Sequence, residues 1–306
     1  VLRETAQALV AGVVPPRTTE EIAQGIDLSL GVMHAQGITS VTDPGISLDT
    51  LAIYAAKARD GQLPLRVNAM LSGGNSTASL GQMLQDYRPL RGIDARTLRV
   101  AAVKIFADGI PTAARTAWLH QPYLDGSNGS LVTAGSTPDE QLATLHAMIK
   151  MAVDAGFQVG THATGDATID AVVGGYLAAM GTDWRRRDRR HYVIHGDLTP
   201  PDTLRQMARH DIGVNMNGTI KYLLGRTLDP VIGPERTDYQ WPYRTALDSG
   251  VKVSSSSDAP VTFPSWLQGV MGAHLREGMF GGVAGTAERI SLPEALATYT
   301  RTPAWQ

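Results

Sequence analysis

Short β-branched or apolar runs alternate with helical patterns along nearly the whole chain, and this alternation restricts the fold more than any other feature. The runs cover 38–43, 65–71, 98–106, 157–163, 191–196, 212–217 and 251–258. Helical periodicity falls between them, over 18–36, 48–59, 80–87, 138–155, 166–180, 202–210 and 242–249. Several of these helices open on a capping signal, such as Thr137-Pro138-Asp139-Glu140, and several close on a glycine, such as Gly37, Gly156 and Gly250. Strands that alternate with helices pair in parallel, with each helix serving as the crossover.

Two architectures satisfy that pattern. A doubly wound open sheet places its ligand at one switch point. A (β/α)8 barrel places reactive side chains at the carboxyl ends of several strands. Here Lys104, His162, His195 and Asp258 each stand at or near the end of a different run. The expected fold is therefore α/β, a TIM-type (β/α)8 barrel with seven of its strands in this chain. Residue 1 is Val and 1–10 reads as the middle of a helix, so the first barrel strand is expected upstream. Residues 1–306 read as a single catalytic barrel domain, shortened at both ends. Two long segments, 107–137 and 218–240, are expected to be loops that shape the site. Pro44–Gly45 is expected to stop the first run, and 264–277 and 292–299 to form the last helices.

Composition narrows the class of function. A net charge of -2 and no strongly basic face argue against nucleic acid. The one dense basic run, RRRDRR at 185–190, reads as a solvated loop. No stretch approaches the roughly 20 apolar residues of a membrane span. The absence of cysteine excludes disulfides, a thiol nucleophile and a thiolate metal site, and it fits a reducing, cytoplasmic setting. A homodimer is the default expectation for assembly.

The strand-end residues carry the chemistry. His162 in GTHATGD and His195 in VIHGD lie on consecutive strands. Neighbouring strands run about 4.8 Å apart, close enough for both imidazoles to meet one cation such as zinc at about 2.0–2.1 Å. Either histidine alone reads equally as a hydrogen-bonded core residue. Lys104 interrupts the apolar run VAAVKIF and needs a partner or a modification to be buried. Its partner is either Asp108, as an ion pair, or carbon dioxide, whose carbamate on a neutral amine is a carboxylate-like ligand able to bridge two ions. Asp258 follows four serines and precedes Ala259-Pro260. It is either an Asx turn or an acid–base group beside a metal-bound water. His191, four residues before His195, is expected on the same strand face but at its far end, in a structural role. No G-x-S-x-G elbow supports a serine nucleophile. Trp118, Tyr123, Tyr222 and Trp241 in the long segments either line a pocket or pack those segments down.

The ordered set GITSVTDPG (37–45), LRVAAVKIFADG (98–109), THATGDATID (161–170), HYVIHGDL (191–198), SSSSDAPV (254–261) and SLPEALATYT (291–300) resembles the amidohydrolase superfamily. Within it the chain is most similar to amidohydrolase family 3, the N-substituted formamide deformylase-like group. The resemblance implies a metal-dependent hydrolase holding one or two divalent ions, with zinc expected. It implies His162 and His195 as ligands from the fifth and sixth barrel strands, Lys104 as a carboxylated bridging ligand from the fourth, and Asp258 from the eighth as the catalytic acid–base. Its chemistry is attack of metal-activated hydroxide on the C–N bond of a small non-peptide amide. The family's His-x-His pair and its small β-sandwich have no counterpart in this sequence. That leaves open a barrel that binds without catalysing, or a hydrolase of lactones or esters.

Overall fold

The structure, a computed structural model, describes residues 4–306. Seven strands form one sheet: β1 (Ser40–Ile46), β2 (Arg66–Ser72), β3 (Leu98–Phe106), β4 (Gln158–Ala163), β5 (Tyr192–His195), β6 (Gly213–Met216) and β7 (Val253–Ser255). Every neighbouring pair is parallel. The strands lie in sequence order from β1 to β7. A doubly wound sheet reverses its strand order at the switch point; this sheet never does, which is the order of a barrel. It curls far enough that the segments flanking its two edges touch. Trp266 Nε1, at the start of the helix after β7, donates to the carbonyl of Gln36, just before β1, at 2.9 Å.

Strand alternation sorts side chains onto two faces. On the outer face Val103, Ile105, Val159, Val193, Val214 and Val253 pack beneath the helices in the main core. Burying each such side chain contributes about 1.5–3 kcal/mol. On the inner face Met70, Ala102, Tyr192 and Ile194 form a small separate cluster. Gly160 on β4 leaves room for it, since a Cβ there would lie 2.5 Å from the Met70 methyl.

The helices start where their caps predict. Thr18 and Glu21 form a reciprocal capping box before Thr19–Ala35, and Thr137 caps Pro138–Asp154 with Pro138 in the first turn. The part of the expected 1–10 helix at residues 1–3 lies outside the described residues. Glu4–Gln7 is a 3-10 turn and Ala8–Ala11 a single helical turn.

Four expectations are corrected. Pro44–Gly45 does not stop β1, which runs to Ile46 through a register shift between Pro44 and Ile46. An edge strand tolerates the missing Pro N–H. The segment 218–240 is not a loop but three short helices, Gly218–Leu224, Asp229–Ile232 and Pro234–Tyr239. The run 185–190 begins in the helical turn Trp184–Arg187, with Arg186 and Arg187 paired to Asp183 at its surface. The last run pairs only over Val253–Ser255, and the remaining serines lead out of the sheet.

Segment 107–137 does lack helix and strand. It packs against the 218–240 helices. Ala117, Leu119 and Tyr123 cluster with Leu198, Leu228, Val231 and Ile232. Arg236 donates to the carbonyls of Gln121 and Pro122 at 2.8 and 2.9 Å. Tyr123 is buried in this cluster and Trp241 in the main core, so both pack their segments down instead of lining a pocket. Among the described residues no helix is long and apolar enough to cross a membrane.

Candidate metal centre

Three of the four expected residues stand where β3, β4 and β5 end, and the fourth follows β7. In register, Lys104 lies opposite Gly160 and Phe106 opposite His162. Lys104 therefore sits one strand over and two residues below His162, on the inner face with Ala102. It is 3 % exposed. Among the described residues its ammonium makes no hydrogen bond or ion pair; it rests 4.6 Å from the centroid of the Phe106 ring. Burial lowers its pKa to about 8, partly offset by attraction to Asp258.

The Lys104–Asp108 ion pair is not formed. Asp108 turns away and gathers backbone N–H groups from Thr164 (3.1 Å), Gly165 (2.9 Å) and Trp118 (3.2 Å). It ties the long loop to the end of β4. Burial pushes this carboxyl up to about 7, against the backbone donors that hold it ionised. Gly165 is required at this junction, because a Cβ would fall 1.9 Å from the Trp118 carbonyl oxygen.

His162 follows the strand alternation onto the inner face. Its Nε2 lies 2.9 Å from the Gly109 carbonyl. A carbonyl only accepts, so Nε2 carries the hydrogen and Nδ1 keeps a free lone pair. Burial, with the Lys104 charge adding to it, lowers the His162 pKa to about 3; the ring is neutral at pH 7.

His195 breaks the alternation. Tyr192 and Ile194 point inward and Val193 outward, so His195 would follow Val193 toward the helices. Its backbone instead takes a left-handed φ of 79°, at a cost of about 1–3 kcal/mol. The ring swings back over the site, 4.4 Å centroid to centroid from His162. The expectation that His191 and His195 share a face is thereby corrected. His191 stacks outward on Tyr176 at 5.3 Å, and its Nδ1 accepts from the Val159 N–H at 3.0 Å. His195 Nδ1 lies 2.7 Å from Asn217 Oδ1. Burial first, then His162 and Lys104, hold its pKa well below the ordinary value.

Asp258 also has a left-handed backbone, at φ 56°. The turn after it closes through the backbone, Val261 N–H to the Asp258 carbonyl at 2.8 Å, and Ala259 N–H goes to Ser257 Oγ. The carboxylate is thus not spent on an Asx turn. It is half-buried, raised by burial and drawn down by Lys104.

These side chains fit part of a metal centre. Two neutral imidazoles meet edge to face, each with one nitrogen committed and the other free among the described residues, which is the donor state a divalent cation takes. Lys104 fits as a ligand only after conversion to an anion. Among the described residues no three His, Asp or Glu side chains converge tightly enough to hold an ion by themselves. A cavity of about 770 Å³ lies elsewhere, in the 107–137 loop, lined by Asn75, Arg115, Asp125, Asn128 and Gln141. None of the four candidate residues lines it; side-chain chemistry, not cavity size, marks this site. Asn217 was not singled out in the sequence, although it ends its strand run as His162 and His195 end theirs.

Fold and site together define a barrel-type α/β protein whose four candidate residues share the carboxyl-terminal rim of the sheet. The family model described as amidohydrolase family matches residues 1–306, and the chain belongs to that family. It is 23% identical over 315 residues to the protein YtcJ of Bacillus subtilis (strain 168), covering 98% of this chain and 55% of that one. It is 25% identical over 278 residues to the N-substituted formamide deformylase of Arthrobacter pascens, covering 88% of this chain and 48% of the relative. The chain thus spans about half the length of these curated relatives. Among solved structures, an uncharacterized metal-dependent hydrolase from Pyrococcus horikoshii OT3 superposes with a TM-score of 0.79 at 20% identity, over 98% of this chain and 57% of that one. The atrazine chlorohydrolase TrzN of Arthrobacter aurescens TC1, as a point mutant complexed with zinc and atraton, superposes with a TM-score of 0.55 at 17% identity, over 94% and 60%. These likenesses show a shared fold.

Proposed function

We propose that residues 1–306 are the single catalytic barrel domain of a metal-dependent hydrolase that cleaves the C–N bond of a small non-peptide amide, N-formyl or related. The observation that carries this reading is the pair of neutral, buried imidazoles, 4.4 Å apart, with Lys104 and Asp258 on the same rim. The relationship to a formamide deformylase supports the substrate class, and the zinc in the TrzN complex supports the metal.

His162 through Nδ1 and His195 through Nε2 would hold a divalent ion, zinc being the best match to their chemistry. When bound, such an ion polarises the scissile group and lowers the pKa of water. The remaining steps belong to the chain. The Asp258 carboxylate, which accepts no hydrogen bond among the described residues, takes the proton of the attacking water and returns it to the departing amine. Lys104, buried without an acceptor, reacts as its neutral amine with carbon dioxide. A new N–C bond forms, one proton leaves, and the resulting carbamate replaces a costly buried cation with a metal-ligating anion for a second ion.

The test is a panel of N-formyl amines, aryl amides and lactones offered to the zinc-supplemented protein. Release of amine from the first group, lost in His162→Ala, is the expected result. Lactone opening without amine release would replace the amide reading with an ester one. No zinc uptake at all would remove the metal-dependent hydrolase.

A further inference from the structure

The inner face of the sheet changes character between β5 and β6. Over β2 to β5, beside Lys104 and His162, it is filled by the apolar cluster of Met70, Ala102, Tyr192 and Ile194. On β6 and β7 and just past their ends the residues of the same parity are Asn215, Asn217, Ser254 and Ser256. They pair side chain to side chain across the two strands. Asn217 Nδ2 donates to the Ser256 carbonyl at 3.2 Å and to Ser256 Oγ at 3.0 Å. Ser256 Oγ donates to Asn215 Oδ1 at 2.6 Å, and Asn215 Nδ2 to Ser254 Oγ at 3.0 Å. The Ser254 hydroxyl in turn donates to Gln306 Oε1 at 2.8 Å.

This chain of donors has one direction, and a backbone atom sets it. The Ser256 carbonyl can only accept, so the amide nitrogen of Asn217 must face it. Asn217 Oδ1 is then left facing His195 Nδ1 at 2.7 Å, and the imidazole must carry its hydrogen on Nδ1. Nε2 keeps the free lone pair. Asn217 is fully buried, so no water competes for that oxygen. The left-handed backbone at His195 brings the ring to Asn217; the ladder decides which nitrogen it presents.

We propose that Asn217, braced by Ser256, Asn215 and Ser254, is the positioning residue that fixes the tautomer of His195, and that the inward-facing serines Ser254 and Ser256 serve this purpose. The proposal rests on reading His195 as a metal ligand, whose outer nitrogen partner commonly changes metal affinity by about 10–100-fold when lost. Its test needs no metal. In metal-free protein at neutral pH, with ring-15N histidine, two-bond 1H–15N correlations report which nitrogen is protonated. His195 is expected as the Nδ1–H tautomer. Asn217→Leu is expected to move most of the population to Nε2–H. Asn217→Asp, which keeps an acceptor, is expected to retain Nδ1–H. Ser256→Ala spares the backbone carbonyl, so it is expected to give a mixture. His162 should stay Nε2–H in every variant. A residue that merely packed the wall would lower the Tm in Asn217→Leu without moving the proton. The proposal is overturned if wild-type His195 carries its hydrogen on Nε2, or if Asn217→Leu leaves the tautomer unchanged. Should Asn217→Leu fail to fold, the wild-type and Ser256→Ala spectra decide, an unmoved Ser256→Ala tautomer counting against the ladder. Failure of zinc uptake with a confirmed Nδ1–H tautomer would count against the hydrolase reading and leave the ladder standing.

Discussion

The β3–β4 side of the site and the β5–β7 side hold their histidines by different means. His162 ends a regular strand and is fixed by one backbone carbonyl, that of Gly109, next to the Asp108 clamp on Thr164, Gly165 and Trp118. His195 ends a strand whose alternation is broken, and a relay of side-chain amides and hydroxyls on β6 and β7 fixes it. One histidine is therefore tied to the folding of the 107–137 loop and the other to the wall of the sheet. Changes to the loop should disturb the first and spare the second, and changes to the wall should do the reverse.

The largest effect is expected at the rim of the β7 side. Asp258→Asn should lower amide hydrolysis by about 10²–10⁴-fold, the usual weight of a positioned acid–base group, with zinc content unchanged. Metal analysis beside turnover separates this from a damaged site. Next comes the clamp on the other side. Asp108→Ala leaves buried N–H groups without an acceptor, each costing about 1–3 kcal/mol. Chemical denaturation should show a loss of several kcal/mol, and the His162 tautomer should loosen while that of His195 holds.

Lys104→Met tests the buried cation between the two sides. The native pKa is depressed to about 8 from 10.5, so the unfolded chain holds the proton more tightly than the folded one. The penalty is fully present below about pH 8 and vanishes above the unfolded value. In metal-free protein, Lys104→Met should therefore gain about 1–3 kcal/mol at pH 7. That advantage should shrink as pH rises from 8 toward 10.5; an advantage independent of pH would mean the ammonium is not what costs stability. The smallest effect is expected on the outer face of β7. Ser255→Ala removes one hydroxyl contact to Tyr243 at 3.0 Å, worth about 1 kcal/mol, and leaves both histidine tautomers as they were. Ser256→Ala, one residue along and facing in, should give a mixture of His195 tautomers instead.

Much of this arrangement was legible in the residues. Strand 98–106 and helix 48–59 fall where periodicity places them, because both patterns are strong and bounded by turn residues. Lys104, His162, His195 and Asp258 could be singled out because each interrupts or ends an apolar or small-residue run. What could not be read depends on contacts far apart in sequence. Asp108 finds Thr164 and Gly165, 56 and 57 residues on, so of the two alternatives for Lys104 the ion pair is not formed. The inward turn of His195 is a backbone dihedral that strand parity contradicts. The 218–240 helices are short and hold together against the 117–123 wall, with no cap strong enough to announce them. The Asn–Ser ladder was visible only as a run of small residues beside an aspartate. Its direction comes from the Ser256 carbonyl, which no side-chain pattern encodes.

The central claim is that His162 and His195 present opposite ring nitrogens to one cation. Titrating the ring-15N-labelled protein with zinc tests it most directly. Nδ1 of His162 and Nε2 of His195 should shift together and saturate at the same zinc concentration, while His191 on the outer face stays put. Shifts that appear first at exposed histidines such as His34 or His120, with His162 and His195 unmoved, would contradict it.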